Sequence, residues 1–368
     1  MKVALVHEHL AQDGGAEKVL KAFQEIYPEA PTYTLVYDRK RANPAFLNKK
    51  IITSFIQRLP FGVKKYQWFL LLMPTAVEQY DLRGYDVVLS SCSAFAKGVI
   101  TAPETAHICY CHSPTRYLWT DTHSYVEEIN VNRLIKKVIP LFLNRIRLWD
   151  RLASDRVDYY IANSINIQKR IKKYYLRNSY TIHPPVETKG FFISPKTENY
   201  YLIGGRLVAY KRYDITVQAF NRLNIPLKIF GLGPEYDKLK AMAKKNIEFL
   251  GQVEPNELKN LYSKCLAFIH PQEEDFGITA VEAMASGRPV IAYKAGGALE
   301  TIIDKKTGIF FEDQMWESLA DAVIRFKPDE YHPEEIRKHA LEFDTERFKQ
   351  KIKDYVEKSY QEYKKNYS

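Results

Sequence analysis

Residues 268–297, FIHPQEEDFGITAVEAMASGRPVIAYKAGG, constrain the possible folds of this chain more than any other stretch. They read as strand, acidic loop, short helix, stop and second strand. Phe268, Ile269 and His270 end an apolar run, and residues 271–275 form a polar loop. Residues 278–286 suit a helix. Gly287 stands where a left-handed residue closes one, and Pro289 prevents its continuation. Residues 290–293 then resume a short buried strand, and Gly296 and Gly297 follow. Glu274 in the loop and Glu282 in the helix bracket the turn between them. Carboxylates are rarely buried without partners, and the hydroxyls of a sugar or ribose suit them.

The order of strand, glycine and helix recurs along the chain. Residues 2–6 are a strand, and Gly14-Gly15 open a helix whose face is Ala16, Val19, Leu20 and Phe23. A helix N-terminus entered through glycines lets backbone N–H groups approach a phosphate or a hydroxyl, although Gly-Gly is also an ordinary turn. Residues 32–36, 86–90 and 107–111 continue the series, the last two near-continuously apolar as parallel strands are. His112, Ser113 and Pro114 therefore lie just past a strand's C-terminal end, where open α/β sheets place ligand groups. A capping or packing role is the alternative for His112. A helix over 134–156 restarts at Pro140, the strand 158–162 meets caps at Asn163 and Ser164, and residues 165–175 form the next helix.

His183-Pro184-Pro185 is a stiff break, and the pattern restarts after it. Residues 200–203 are a strand leading into GGRLVAYKRYD, where Arg206 and Lys211 stand in a glycine-led loop before a helix. Two cations and free N–H groups at such a turn suit a diphosphate. Strands follow at 227–230, 247–250 and 266–269, a helix at 300–304 and a strand at 309–311. Gly231 and Gly233 lack the third glycine of a dinucleotide fingerprint, since Tyr236 occupies that place. The segment 345–366 has an apolar face of Phe348, Ile352, Tyr355, Val356 and Tyr360 and is long enough to cross between domains.

Length and composition fit two α/β domains: 368 residues with 46% hydrophobic content can build real cores. Four cysteines in so long a chain make no disulfide framework, and buried thiols in a reducing cytosol follow. The N-terminus reads as a strand rather than a leader, and no window is apolar enough for a transmembrane helix. A net charge of +10 calls for an anionic partner, yet no nucleic-acid signature accompanies it. In residues 48–80, basic side chains interleave with Phe55, Ile56, Phe61, Trp68, Phe69 and residues 70–73. This is either an amphipathic helix pair on the sheet or a surface for an anionic membrane. The similar stretch 133–149 favours membrane contact.

At these residues the sequence resembles the retaining glycosyltransferases of family 4. The motifs are GGAEKVL, CYCHSP, GGRLVAYK and EDFGITAVEAMASGRPVIA followed by its Gly-Gly, with Glu274 and Glu282 at the family's E-x7-E spacing. CYCHSPTRYLW, WDR at 149–151 and IANSINIQKRI are similar to the subgroup that transfers mannose from GDP-mannose in surface-polysaccharide assembly. The resemblance implies the GT-B fold, an α/β architecture of two Rossmann-like doubly wound parallel-sheet domains with the active site in the cleft between them. Residues 1–185 would be the acceptor- and membrane-facing domain, 186–344 the nucleotide-sugar domain, and 345–368 a helix crossing back.

By the same resemblance Glu282 binds the ribose and Glu274 the transferred sugar. Arg206 and Lys211 stabilise the leaving diphosphate, and His112 contacts the sugar near the reacting centre. Gly14, Gly15, Gly205, Phe276, Gly277 and Ile278 complete the donor-binding set. The partners implied are a nucleotide-sugar donor and a lipid-linked glycan acceptor, at the cytoplasmic face of a membrane and without nucleic acid. No cofactor is implied. Glu273-Glu274-Asp275 admits a magnesium site, but no Asp-x-Asp motif occurs and no metal is expected. Another sugar donor, a nucleotide-sugar epimerase on the same fold and a non-catalytic membrane-docking protein are the alternatives.

Overall fold

The structure is a computed structural model that describes residues 1–122, 126 and 132–367, with the backbone alone at 133–135. The chain forms two compact units, residues 1–184 with 348–368 and residues 185–347.

Among the described residues, the first unit contains a seven-stranded parallel sheet. Its strands are β1 (Val3–His7), β2 (Thr32–Thr34), β3 (Ile51–Thr53), β4 (Val87–Cys92), β5 (Ala106–Cys111), β6 (Tyr159–Ala162) and β7 (Ser179–Thr181), in the order β3-β2-β1-β4-β5-β6-β7. Every residue of β4 and β5 is buried, as a sheet covered on both faces requires. The polar ones are paired: Ser90 Oγ lies 2.9 Å from His107 Nε2. The chain moves outward from β1 to β3 and then returns to place β4 on the other side of β1. That reversal opens a crevice beyond the C-terminal ends of β1 and β4. The helix Thr345–Tyr367 adds Phe348, Ile352, Val356 and Tyr363 to this unit's core, with Phe348 stacked 6.2 Å from Phe23.

The second unit has a six-stranded parallel sheet among the described residues. Its strands are β8 (Tyr201–Gly204), β9 (Leu227–Phe230), β10 (Ile247–Gly251), β11 (Phe268–His270), β12 (Val290–Tyr293) and β13 (Gly308–Phe311), ordered β10-β9-β8-β11-β12-β13. Here the reversal falls between β8 and β11. The segment between β11 and β12 contains the helix Ile278–Ala285, and Gly287 has φ 71° at its end.

Three local expectations need correction. The helix Arg133–Ala153 runs through Pro140 rather than restarting there. An interior proline removes one hydrogen bond. Here Pro140 is exposed, while Leu143 and Ile146 downstream are only 2% and 3% exposed, and their burial holds the helix together. Residues 48–80 are not a helix pair: β3 is followed by 3₁₀ turns at Phe55–Arg58 and Tyr66–Leu72 and one short helix, Met73–Glu78. Pro60, Gly62 and a left-handed Phe61 break the helical run. The helix expected at 300–304 is the single turn Ala298–Thr301. All four cysteines are free and buried, and among the described residues no helix is long and apolar enough to cross a membrane.

Candidate functional site

In the second unit the sheet reversal brings two loops together. β8 ends at Gly204, and Gly205 follows with φ 125°. A Cβ there would stand 3.4 Å from Tyr213 Oη and 3.7 Å from Lys211 Nζ, ordinary contacts, so it is the backbone angle rather than space that calls for glycine. Lys211 ends the turn Ala209–Lys211, and its Nζ lies 2.8 Å from Glu274 Oε1. Burial raises the Glu274 carboxyl, but the Lys211 charge, His270 and hydrogen bonds from Lys211 and Gln272 together outweigh it, so Glu274 titrates below its ordinary range. The pair is thus ionised and mutually compensated, at side-chain exposures of 13% and 20%.

Glu274 reaches Lys211 because its loop is gripped from behind. Gly297 N donates to Glu274 O at 2.7 Å. A Cβ on Gly296 would fall 2.4 Å from Glu274 O, and one on Gly297 would fall 2.4 Å from Phe276 Cα. The paired glycines after β12 are therefore required by the close approach of the acidic loop. Phe276 is a core residue, 4% exposed and edge-on to Phe343 at 5.5 Å, so its side chain is unavailable to a ligand. Any contact from Phe276 falls to its backbone. Gly277 takes φ 90° and starts the helix Ile278–Ala285, with Ile278 packed against the core. Glu282, half-buried in that helix, accepts a hydrogen bond from Tyr262 Oη at 3.2 Å. Arg206 is exposed and makes no ion pair among the described residues. The structure therefore separates the two cations, one compensated in the loop and one in solvent.

Three further groups surround the pair. His270, at the end of β11, is 1% exposed, and neither ring nitrogen has a hydrogen-bond partner among the described residues. Burial, against the attraction of Glu274, pushes its pKa down to about 4, so the ring is neutral. Gln272 bonds to Glu274, but its Oε1 has no partner, and neither does Tyr213 Oη. Buried polar atoms are nearly always paired, so such a cluster marks a place where a polar ligand completes the set. Sequence reasoning did not single out His270 or Gln272. The available signal was their position just beyond a strand's C-terminal end.

In the first unit Gly14 caps the helix Gly15–Ile26. A Cβ on Gly14 would lie 3.1 Å from Glu17 Oε2, so this turn is packed against the first-turn carboxylate. His112 follows β5. Its Nε2 is 2.8 Å from Ser91 Oγ, which is 3.1 Å from His7 Nδ1, and His7 Nε2 is 3.7 Å from Glu17 Oε1. Asn163 Nδ2 donates to the His112 carbonyl at 2.8 Å and fixes the backbone. Burial, then the neighbouring His7, push the His112 pKa down to about 4. His112 is thus a neutral, oriented imidazole at neutral pH. His7, Ser91 and Glu17 were not recognised as its partners, because they come from three separate segments that only the sheet assembles.

Among the described residues, no three His, Cys, Asp or Glu side chains are gathered as a metal site would need.

Residues 187–343 match the family described as "Glycosyl transferases group 1". The chain is 32% identical over 145 residues to an uncharacterized glycosyltransferase of Methanocaldococcus jannaschii, covering 38% of this chain and 40% of that protein. It is 27% identical over 188 residues to a GDP-mannose-dependent alpha-mannosyltransferase of Mycolicibacterium smegmatis, covering 48% and 50%. The chain thus spans half or less of these relatives' own length. Among solved structures, Anabaena HepE in complex with UDP superposes with a TM-score of 0.71 at 17% identity, over 97% of this chain and 100% of that one. Residues 187–343 are thus similar to the glycosyl transferases group 1 family, and the two parallel-sheet units are those of the GT-B glycosyltransferase fold.

Proposed function

We propose that this chain is a retaining glycosyltransferase that moves a hexose, with mannose from GDP-mannose the first choice, onto a lipid-linked or oligosaccharide acceptor. The observation that carries the reading is the Lys211–Glu274 pair at the strand ends of the second unit, surrounded by polar atoms of His270, Gln272 and Tyr213 that have no hydrogen-bond partner among the described residues. A nucleotide diphosphate sugar meets both needs at once. Its phosphates take the ammonium of Lys211, and its hydroxyls take the carboxylate of Glu274. Arg206, which makes no ion pair among the described residues, adds a second cation for the diphosphate. Glu282 takes the ribose, and the backbone of Gly205 and of residues 276–278 lines the donor. In the first unit, His112 takes a sugar hydroxyl and the Gly14-Gly15 turn a phosphate or hydroxyl.

The chemistry is charge stabilisation and positioning. As the bond from the anomeric carbon to the phosphate oxygen breaks, the leaving diphosphate gains negative charge, and fixed cations stabilise that state more than the ground state. The acceptor oxygen bonds to the anomeric carbon from the same face, and its proton passes to the departing phosphate oxygen. Configuration is thereby retained. The cations carry the neutralising role, and no metal is assigned to the step.

The relative from M. smegmatis is named for GDP-mannose and the Anabaena structure contains UDP, so the donor is the first thing to measure. Binding of GDP, UDP and ADP should rank GDP first, and GDP should be released from GDP-mannose when acceptor is present. Absence of turnover with every nucleotide sugar across a broad acceptor panel would sink the reading. Conversion of the sugar without an acceptor would instead indicate an epimerase. We also assign this chain to the cytoplasmic surface of an anionic membrane. Phe61, Trp68 and Leu141 are 63%, 67% and 71% exposed in the first unit, and Lys65 Nζ lies 4.1 Å from the Trp68 ring centroid. Co-sedimentation with phosphatidylserine vesicles should be lost in Trp68→Ser/Leu141→Ser; retention at wild-type levels would remove this assignment.

A further inference from the structure

We propose that Glu17, His7 and Ser91 are positioning residues that set the tautomer of His112, so that its Nδ1 is an acceptor for a sugar hydroxyl. The inference rests on the glycosyl-transfer reading for the identity of that hydroxyl, but the tautomer itself follows from hydrogen-bond chemistry.

The buried end of this chain of contacts is Glu17. Glu17 is 2% exposed and its carboxyl titrates below the ordinary range, since burial, which raises it, is outweighed chiefly by His7. Gln12 Nε2 also donates to Oε1, at 3.4 Å. A carboxylate facing His7 Nε2 favours an N–H over a lone pair on that nitrogen. At 3.7 Å the contact is electrostatic rather than a hydrogen bond, and the carboxylate's negative field orients the His7 dipole. In the neutral ring this contact favours the tautomer with Nε2–H toward Glu17 and a lone pair on Nδ1. Ser91 Oγ, at 3.1 Å, donates its only hydrogen to that lone pair. Having spent its hydrogen, Ser91 can only accept from His112 Nε2 at 2.8 Å, so Nε2 carries the His112 proton. Because the His112 pKa is about 4, the ring holds one proton at neutral pH, and Nδ1 is left with a lone pair. His112 is half-buried and its Nδ1 has no hydrogen-bond partner among the described residues, so this nitrogen is the one free to meet a ligand.

The direction of the whole chain thus runs from an acidic anchor on the first helix to a Lewis base beyond β5. An acceptor nitrogen orients a donated O–H and excludes a phosphate oxygen, which has no hydrogen to give. His112 is thereby assigned to a hydroxyl rather than to the diphosphate.

The test needs no substrate. In protein labelled with ¹⁵N at histidine only, with the His112 signals identified by their loss in His112→Asn, long-range ¹H–¹⁵N spectra at neutral pH should show Nδ1 unprotonated and Nε2 protonated. Ser91→Ala removes the relay and should move population to the Nδ1–H form. Glu17→Gln keeps an acceptor oxygen for His7 and should preserve the wild-type pattern. Turnover should follow the same order, with Ser91→Ala losing about tenfold in kcat and little in donor KM, and Glu17→Gln losing less. A protonated Nδ1 in the wild type, or His112 signals unchanged by Ser91→Ala, overturns the proposal. An intact tautomer pattern in a protein that transfers no sugar would instead overturn the functional reading and leave the relay standing.

Discussion

The polar groups beyond the strand ends are treated differently in the two units. Beyond β5, His112 is held in a continuous chain through Ser91 and His7 toward Glu17. At the end of β11, His270 is more deeply buried, and among the described residues neither of its nitrogens has a hydrogen-bond partner. Burial lowers both rings to a pKa of about 4, so the contrast is one of partners rather than of charge. The first arrangement is preorganised: its geometry and proton placement exist before any ligand arrives. The second stores unmet polar demand around an ion pair that compensates itself. A ligand entering the second unit gains by satisfying that demand, and must displace part of the Lys211–Glu274 attraction to do so.

The sharpest way to break this comparison is at the ion pair. Lys211→Ala should lower kcat by about 10²–10³-fold, the range seen when one electrostatic stabiliser is removed. It should also lower Tm, because Glu274 is left charged without its partner. The double variant Lys211→Met/Glu274→Gln should recover the Tm but not the turnover. Recovery of both would make the pair structural and nothing more.

A second experiment probes the loop that presents Glu274. Gly297→Ala places a Cβ against Phe276 Cα and the Asp275 carbonyl, at 2.4 Å and 2.6 Å. Overpacking of this kind costs about 1–3 kcal/mol, and the displaced loop should reduce turnover together with stability. Unchanged activity and Tm would mean that the loop yields without affecting Glu274.

The two carboxylates of the donor motif should then separate by effect. Glu282→Ala is expected to weaken nucleotide affinity by about tenfold, the loss of one charge-assisted hydrogen bond, with kcat little altered. Glu274→Ala should act chiefly on kcat. Calorimetric titration of both variants with nucleotide decides, and equal loss of affinity defeats the division of roles.

The pH dependence sharpens the comparison further. His107, His112 and His270 each titrate near 4 in the folded chain, burial being the first cause, against 6.5 for an unperturbed ring. Between those values the unfolded chain binds more protons, so stability rises with pH, and acidification from about 6.5 toward 4 destabilises the fold. Glu17 and Glu274, whose carboxyls are held low, add to the loss as pH falls through their folded pKa values. His270→Gln should shrink the Tm difference between pH 7 and pH 5. No change would mean that His270 is protonated already or accessible to water. The smallest expected effect is that of metal removal: EDTA should leave turnover unaltered, and loss of activity restored by magnesium would remove the cations' assigned role.

Much of the local structure was legible. The strands at 227–230 and 290–293 match β9 and β12, because apolar β-branched and aromatic residues stand between glycine and proline signals. Gly287 is left-handed as its position after the helix demanded, and Ser164 caps the next helix by accepting from Ile167 N at 3.2 Å. The Gly296-Gly297 pair was visible as a motif, but its reason, contact with Glu274 and Phe276, lies across the sheet. Pro140 misled because propensity is a local quantity, whereas Leu143 and Ile146 hold the helix through the core. Phe276 was read as part of the donor loop, and what the sequence did not show is that its ring packs on Phe343, a residue far along the chain, leaving its backbone for that role.

The element types, the glycine turns and the tandem α/β pattern are written locally, because hydrophobic period, capping and φ preference act over a few residues. Only the tertiary structure decided which charges and rings meet. Lys211 with Glu274, and His112 with Ser91, His7 and Glu17, are joined by the order of parallel strands. That order brings together segments far apart in the chain, and no local rule of spacing encodes it.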